Sequence, residues 1–193
     1  ESLYFYGRDT GEGRVKIFGV FAYSEASPAR ETVLIFPDSS NSIDEDILKL
    51  FVGKGYSALM VDYRGEWDGE NNRTVYPENI SYANTVKCGR YKDFVDESAD
   101  KTSWYEGVAL GIYARKYIVG RTQSENIAVV GIRDGGEIAW KLAAAKKFSC
   151  LVSVCAAGWL AYAGISKFES DETSLDSERY RFIAGIDSQA YAP

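Results

Sequence analysis

The sequence predicts an α/β fold with a mostly parallel sheet and an antiparallel hairpin at one edge. Two observations predict it. Short apolar runs alternate with segments of helical periodicity, and the N-terminal region instead alternates apolar with polar residues around a glycine-rich turn. The chain has 193 residues, of which 46% are hydrophobic and 26% charged, as is usual for one globular domain. We therefore expect a single domain over residues 1–193.

Each element follows from a local pattern. The hairpin strands have apolar residues at alternating positions and lie at residues 3–6 and 15–21. The buried parallel strands are short and apolar throughout, and they lie at residues 32–36, 56–63, 126–131 and 150–155. The helices repeat apolar residues every three or four positions, and they lie at residues 43–51, 104–119 and 137–147. Parallel strands joined through helices place those helices on the faces of the sheet.

Residues 66–103 form a long polar excursion with weak periodicity. We expect it to be a cap-like insertion, because a loop of this length is usually functional or carries small elements of its own. Four aromatic residues in it or just after it could line a pocket, or they could simply cover the core, which is the interpretation we favour. They are Tyr76, Tyr82, Tyr91 and Trp104.

Composition excludes several classes of function. The net charge of −6 disfavours binding to nucleic acid or to anionic membrane surfaces, and no apolar run reaches the ~20 residues that cross a bilayer. The chain contains no histidine, so its own residues cannot build a Ser-His-Asp triad or a histidine metal site. We expect no cofactor, no metal, no nucleic acid and no membrane partner.

The three cysteines match no zinc or redox motif. Cys150 and Cys155 lie in an apolar stretch, where we expect them to be small core residues. This usage favours a cytoplasmic location. Because the sequence starts at Glu1 without a methionine, secretion through a signal peptide stays open.

A strand-to-helix turn carries the most informative motif. Gly131, Arg133 and Gly135 have the spacing of the nucleophile elbow, G-x-S-x-G. In that turn the flanking glycines let strand and helix approach closely, while the central residue is strained and stands above the sheet. The backbone N–H that follows helps to bind an oxyanion.

With three further segments, this turn resembles the α/β-hydrolase superfamily in its acetyl xylan esterase and dienelactone hydrolase types. The other segments are GYSALMVDYRG at 55–65 and the tripeptides Trp104-Tyr105-Glu106 and Gly135-Gly136-Glu137. The resemblance covers roughly residues 32–158 and implies a three-layer fold. It also implies that the chain is the N-terminal two-thirds of such a domain and lacks the C-terminal strands, after which the family's acid and histidine come. Two interpretations stay open: a fragment, or a naturally short protein.

The departure from the family lies at the nucleophile position, which corresponds to Arg133. A guanidinium group is always protonated and cannot attack an acyl carbon. We therefore expect a catalytically degenerate domain that binds a ligand or serves as a scaffold. Two alternatives stay open. One is an active ester or amide hydrolase that uses residues outside the elbow or beyond residue 193. The other is an interaction module that completes its sheet with a partner, including a second copy of itself.

Asp134 offers another nucleophile, but a one-residue slip would place Ile132 and Gly136 at the small flanking positions. Ile132 is too bulky for that turn. We expect Asp134 instead to stabilise the N-terminus of the following helix by ~0.3–1 kcal/mol.

Arg133 itself is a cation at a helix N-terminus, which is mildly unfavourable. We expect it to pair with Asp38, Asp62 or the acidic excursion. Alternatively, Arg133 and the neighbouring N–H groups bind a small anionic or ester ligand, such as a carboxylate or phosphate.

Ser39 and Ser40 follow the first parallel strand, where the superfamily builds the other half of its oxyanion hole. They could form part of a backbone pocket. Otherwise this stretch is a plain polar loop in which Asp38 or Ser42 caps the next helix.

Overall fold

The computed structural model describes residues 1–25, 31–40, 43–66, 71–88, 98, 100–156 and 187–191. Within these residues, six strands form one sheet: β1 (Ser2–Asp9), β2 (Arg14–Ala22), β3 (Thr32–Phe36), β4 (Ser57–Val61), β5 (Ile127–Ile132) and β6 (Cys150–Val154). The helices are α1 (Glu45–Gly53), α2 (Thr85–Cys88), α3 (Ser103–Thr122) and α4 (Asp134–Ala145). Short 3-10 helices lie at Glu78–Ala83 and Ser188–Tyr191.

The strand order is β1-β2-β4-β3-β5-β6. β1 pairs antiparallel with β2, and β2 pairs antiparallel with β4. β4, β3, β5 and β6 then run parallel. The predicted α/β class, with a mostly parallel sheet and a hairpin at one edge, is confirmed.

The central strand β3 is buried along its whole length because helices cover both of its faces. Leu34 and Phe36 face the larger core cluster, which α3 and α4 complete. Val33 and Ile35 face the opposite side, where Leu48 of α1 packs. Alternation of successive side chains thus produces the three layers.

β6 corrects one prediction, because it was expected to be a buried strand. Val152 and Val154 are 44% and 42% exposed. Among the described residues β6 pairs only with β5, and α1 packs over β4 and β2, so none of the described helices covers this face of β6. Cys150 and Cys155, predicted to be core residues, are also exposed.

The described part of the 66–103 excursion packs onto the sheet. Val75 bridges to Lys16 of β2. Tyr76 and Tyr82 pack against the larger core and Trp104 is buried within it, so the core-covering interpretation is confirmed for these three. Tyr91 lies outside the described residues. Among those described, no helix is both long and apolar enough to span a bilayer.

Candidate elbow site at the carboxyl end of the sheet

A single residue connects β5 to α4. β5 ends at Ile132 and α4 begins at Asp134, so Arg133 alone makes the turn, with φ 50° and ψ −114°. A positive φ is rare for a bulky L-residue and costs on the order of 1–3 kcal/mol. Two backbone hydrogen bonds hold the turn: Arg133 N donates to Val154 O at 2.8 Å, and Gly136 N donates to Arg133 O at 2.9 Å.

The flanking glycines are required by close backbone approach. A Cβ on Gly131 would lie 2.5 Å from Gly136 Cα, and a Cβ on Gly135 would lie 2.5 Å from Pro37 O. Such distances are far below van der Waals contact. The strand, the helix and the chain leaving β3 can therefore meet here only without side chains, as the spacing of the motif predicted.

The structure brings the four predicted site residues together. Arg133 Nη1 lies 3.3 Å from Asp38 Oδ2. Ser40 Oγ donates to Asp38 Oδ2 at 2.8 Å, and Ser39 Oγ donates to the Asp134 carboxylate. Carboxylates have pKa values near 4, so they are poor bases for activating a serine hydroxyl at neutral pH.

The partner of Arg133 is Asp38, one of the candidates from the sequence. Burial raises the pKa of Asp38, but hydrogen bonds from Ser40 and Arg133 outweigh burial and lower it below 3.8. Asp62, the other named candidate, is fully buried and accepts from Thr74 N at 2.8 Å. Burial raises the pKa of Asp62, and the residue acts in folding the excursion onto β4.

Asp38 does not cap α1, which corrects that part of the prediction. The N-cap is Asp44, whose Oδ1 accepts from Asp46 N at 3.0 Å and from Ile47 N at 3.2 Å. The apolar pattern begins at Ile43 and so suggested too early a helix start; Ser42 itself lies outside the described residues. Asp38 is therefore available to the elbow.

A buried carboxylate on α3 was also not predicted. Glu106 of α3 is buried and receives both Nε and Nη2 of Arg8 from β1, with Nε 2.8 Å from Oε2. Tyr82 OH also donates to Glu106, at 3.1 Å. Hydrogen bonding to Glu106 raises the pKa of Arg8, and burial raises that of Tyr82. Arg8 and Glu106 are 98 positions apart, so no local pattern announces the pair.

One further contact holds the loop after β3. Tyr63 OH donates to Pro37 O at 2.9 Å and ties this loop to the end of β4. Across the described residues, no group of three or more Cys, Asp or Glu side chains is placed to hold a metal ion.

Comparison with known proteins gives a consistent picture of the fold. No protein-family model matches the chain, and no curated protein sequence matches it significantly. Solved structures do match. An acetyl xylan esterase from a Paenibacillus species has a TM-score of 0.65 at 15% identity, over 100% of this chain and 69% of that one.

Two other matches agree. Acetyl xylan esterase 1 from a Thermoanaerobacterium species has a TM-score of 0.62 at 17% identity, over 99% of this chain and 63% of that one. A dienelactone hydrolase-like promiscuous phosphotriesterase from metagenomic libraries has a TM-score of 0.57 at 17% identity, over 85% of this chain and 62% of that one. The chain thus spans about two-thirds of the length of these enzymes. With the sheet order, the flanking helices and the strained strand-to-helix turn, these matches show that the chain has the fold of the α/β hydrolases.

Proposed function

We propose that this chain is a catalytically degenerate α/β-hydrolase domain whose elbow binds a small anion. The observation that carries the proposal is that Arg133 occupies the strained turn between β5 and α4, with φ 50°. In this proposal Arg133 stands at the nucleophile position of the fold. The overall likeness to esterases supports the fold, whereas an activity has to be argued from the residues of the site.

The chemistry at the elbow argues against acyl transfer. A guanidinium group carries no lone pair that can attack a carbonyl carbon. The chain has no histidine among its 193 residues, and both nearby serine hydroxyls donate to carboxylates. A histidine supplied by further sequence would still leave the turn without a hydroxyl.

The same features favour binding of an anion. Arg133 is 67% exposed and its contact with Asp38 is long, at 3.3 Å. The Asp38 side chain is 16% exposed, so only the Arg133 side of the pair is open to solvent, which weakens the attraction by screening. The planar guanidinium can bind a carboxylate or phosphate through two parallel hydrogen bonds, and α4 has no side-chain N-cap. A ligand must displace Asp38 and approach Asp134, so we expect weak binding, on the order of millimolar.

Hydrolysis of a short-chain p-nitrophenyl ester tests the catalytic part. We expect no turnover above buffer for the wild type, for Arg133→Ala or for Arg133→Ser. Turnover that disappears in Arg133→Ala would overturn the proposal, since Arg133 would then belong to a working site. Turnover that survives in Arg133→Ala would support an active hydrolase with its chemistry outside the elbow.

Titration with acetate and with inorganic phosphate, followed by NMR, tests the binding part. Arg14 provides a matched control, because it is 59% exposed and lies 3.6 Å from a carboxylate oxygen of Asp9. We expect Arg133→Ala to abolish the shifts near the elbow and Arg14→Ala to leave them unchanged. Equal responses in both variants would remove the anion site from the proposal.

The exposed face of β6 supports a second candidate, an interaction module. Val152 and Val154 give this face an apolar surface. Among the described residues β6 pairs with β5 alone, and an unpaired strand edge pairs readily with another strand. Sedimentation at increasing protein concentration distinguishes the two. A species of constant monomeric mass would exclude self-association through β6.

A further inference from the structure

Lys141 of α4 is a buried cation away from the elbow. It is only 6% exposed. Its Nζ lies 4.3 Å from the ring centroid of Trp104 on α3, and 3.5 Å from Ser188 Oγ of the segment at 187–191. Lysine is almost never buried to this degree without a reason in its surroundings. The three elements thus enclose one amine.

Two carboxylates act on this amine. Glu137 lies one turn earlier on α4, and Asp187 begins the 187–191 segment; both are buried. The residue from α3, Trp104, presents a ring without charge. Burial disfavours the ammonium form, Glu137 and Asp187 favour it, and burial prevails, so the pKa of Lys141 falls from 10.5 to about 8.

The 187–191 segment contributes to this burial. Ser188 is buried and contacts the amine, and the segment packs directly on α4. Lifting the segment would return the amine to water, where the charged form is well solvated. The docked and undocked forms therefore differ in their affinity for one proton.

We propose that Lys141 is a pH-responsive anchor for the 187–191 segment, which docks more tightly on α4 when the Lys141 amine is neutral. The pKa of Lys141 is about 8 when docked and near 10.5 when the amine is free in solvent. The docked form therefore binds fewer protons between these values. Docking strengthens as pH rises through this window, by up to tenfold per pH unit, and stays constant below it.

Hydrogen exchange of the amides at 187–191, followed by mass spectrometry, measures the docking. Labelling times are scaled at each pH to the intrinsic exchange rate. In the wild type we expect protection of this segment to rise as pH increases from 8 to 10. In Lys141→Met we expect protection that does not change with pH. A flat wild-type profile would overturn the proposal, and so would an unchanged slope in Lys141→Met.

Lys116→Met serves as the matched control, because Lys116 also lies over an aromatic ring, with Nζ 4.6 Å from the Tyr113 centroid, but on the exposed surface of α3. It should keep the wild-type slope. If Lys141→Met fails to fold, Asp187→Asn decides the matter. Removing this carboxylate favours the neutral amine, so the rise in protection should begin at lower pH. An unchanged profile in Asp187→Asn would overturn the proposal.

Discussion

Two strand-to-helix connections in this molecule differ in backbone conformation and in helix capping. Residues 37–44 lead from β3 to α1 and end at Asp44, an extended residue with φ −112° whose side chain caps the helix. Arg133 alone leads from β5 to α4, with φ 50° and without a side-chain cap. Both join a buried parallel strand to a helix on the sheet.

The two connections have opposite effects on the stability of the fold. A capped helix start contributes ~1 kcal/mol, whereas a strained non-glycine residue costs on the order of 1–3 kcal/mol. The loop before α1 thus favours stability. The elbow costs stability, and it fixes the position of Arg133 at the end of the sheet.

The largest expected effect comes from adding one methyl group at the elbow. In Gly131→Ala the new Cβ would lie 2.5 Å from Gly136 Cα, against backbone that cannot rotate away. We expect a loss of about 3 kcal/mol or more in the free energy of unfolding. Urea unfolding followed by far-ultraviolet circular dichroism measures it.

Gly120→Ala is the control for that variant. A Cβ on Gly120 meets nothing within 4 Å, and the residue lies in α3. This change should stabilise the protein by roughly 0.5–1 kcal/mol through helix propensity. Similar losses in both variants would show that the elbow is not specially constrained.

At the capped connection, the expected effect is smaller. Asp44→Ala removes the acceptor for two backbone N–H groups of α1, so we expect a loss of ~1 kcal/mol. Asp44→Asn keeps an acceptor and should stay close to the wild type in the same unfolding experiment. If Asp44→Ala unfolds at the wild-type urea concentration, the contrast between the two connections is wrong.

Much of the fold could be predicted because its signals are local. β3 is an unbroken apolar run, and runs of this kind form strands covered on both faces. The turn at Arg133 was predictable because Gly131 and Gly135 are required by sterics at fixed spacing. β6 carries the same apolar signal but is half exposed, since composition alone does not show whether a helix lies over each face.

Contacts between distant parts of the chain were less accessible to sequence reasoning. Asp38 could be named as a partner of Arg133 because it follows a neighbouring parallel strand. The pair between Arg8 and Glu106 depends on how β1 meets α3, across 98 positions. The burial of Lys141 similarly depends on the packing of the 187–191 segment against α4, which helical periodicity in α4 does not reveal.

Strain at the elbow can be measured directly. Arg133→Gly relieves the positive φ but adds the entropy of a glycine to the unfolded chain, so we expect a net gain of roughly 0.5–1 kcal/mol. Arg133→Ala removes the guanidinium and keeps the strain, so it should show no such gain. Equal stabilities for the two variants would mean that the turn stores no strain.

The smallest expected effect concerns the ion pair between Arg133 and Asp38. Burial raises the pKa of Asp38, but hydrogen bonds from Ser40 and Arg133 and the positive charge of Arg133 together lower it below 3.8. A carboxylate with a lowered pKa stabilises the fold above its unfolded pKa, and this contribution is lost as pH falls through the folded value. NMR titration of the Asp38 carboxyl should therefore show an upward shift of its pKa in Ser40→Ala, which loses a hydrogen-bond donor, and in Arg133→Ala, which loses both a donor and a positive charge. An unchanged Asp38 pKa in Arg133→Ala would mean that the pair between Arg133 and Asp38 does not form in solution. An upward shift would mean that Asp38 competes with an external anion for Arg133, which is the reason that we expect such an anion to bind weakly.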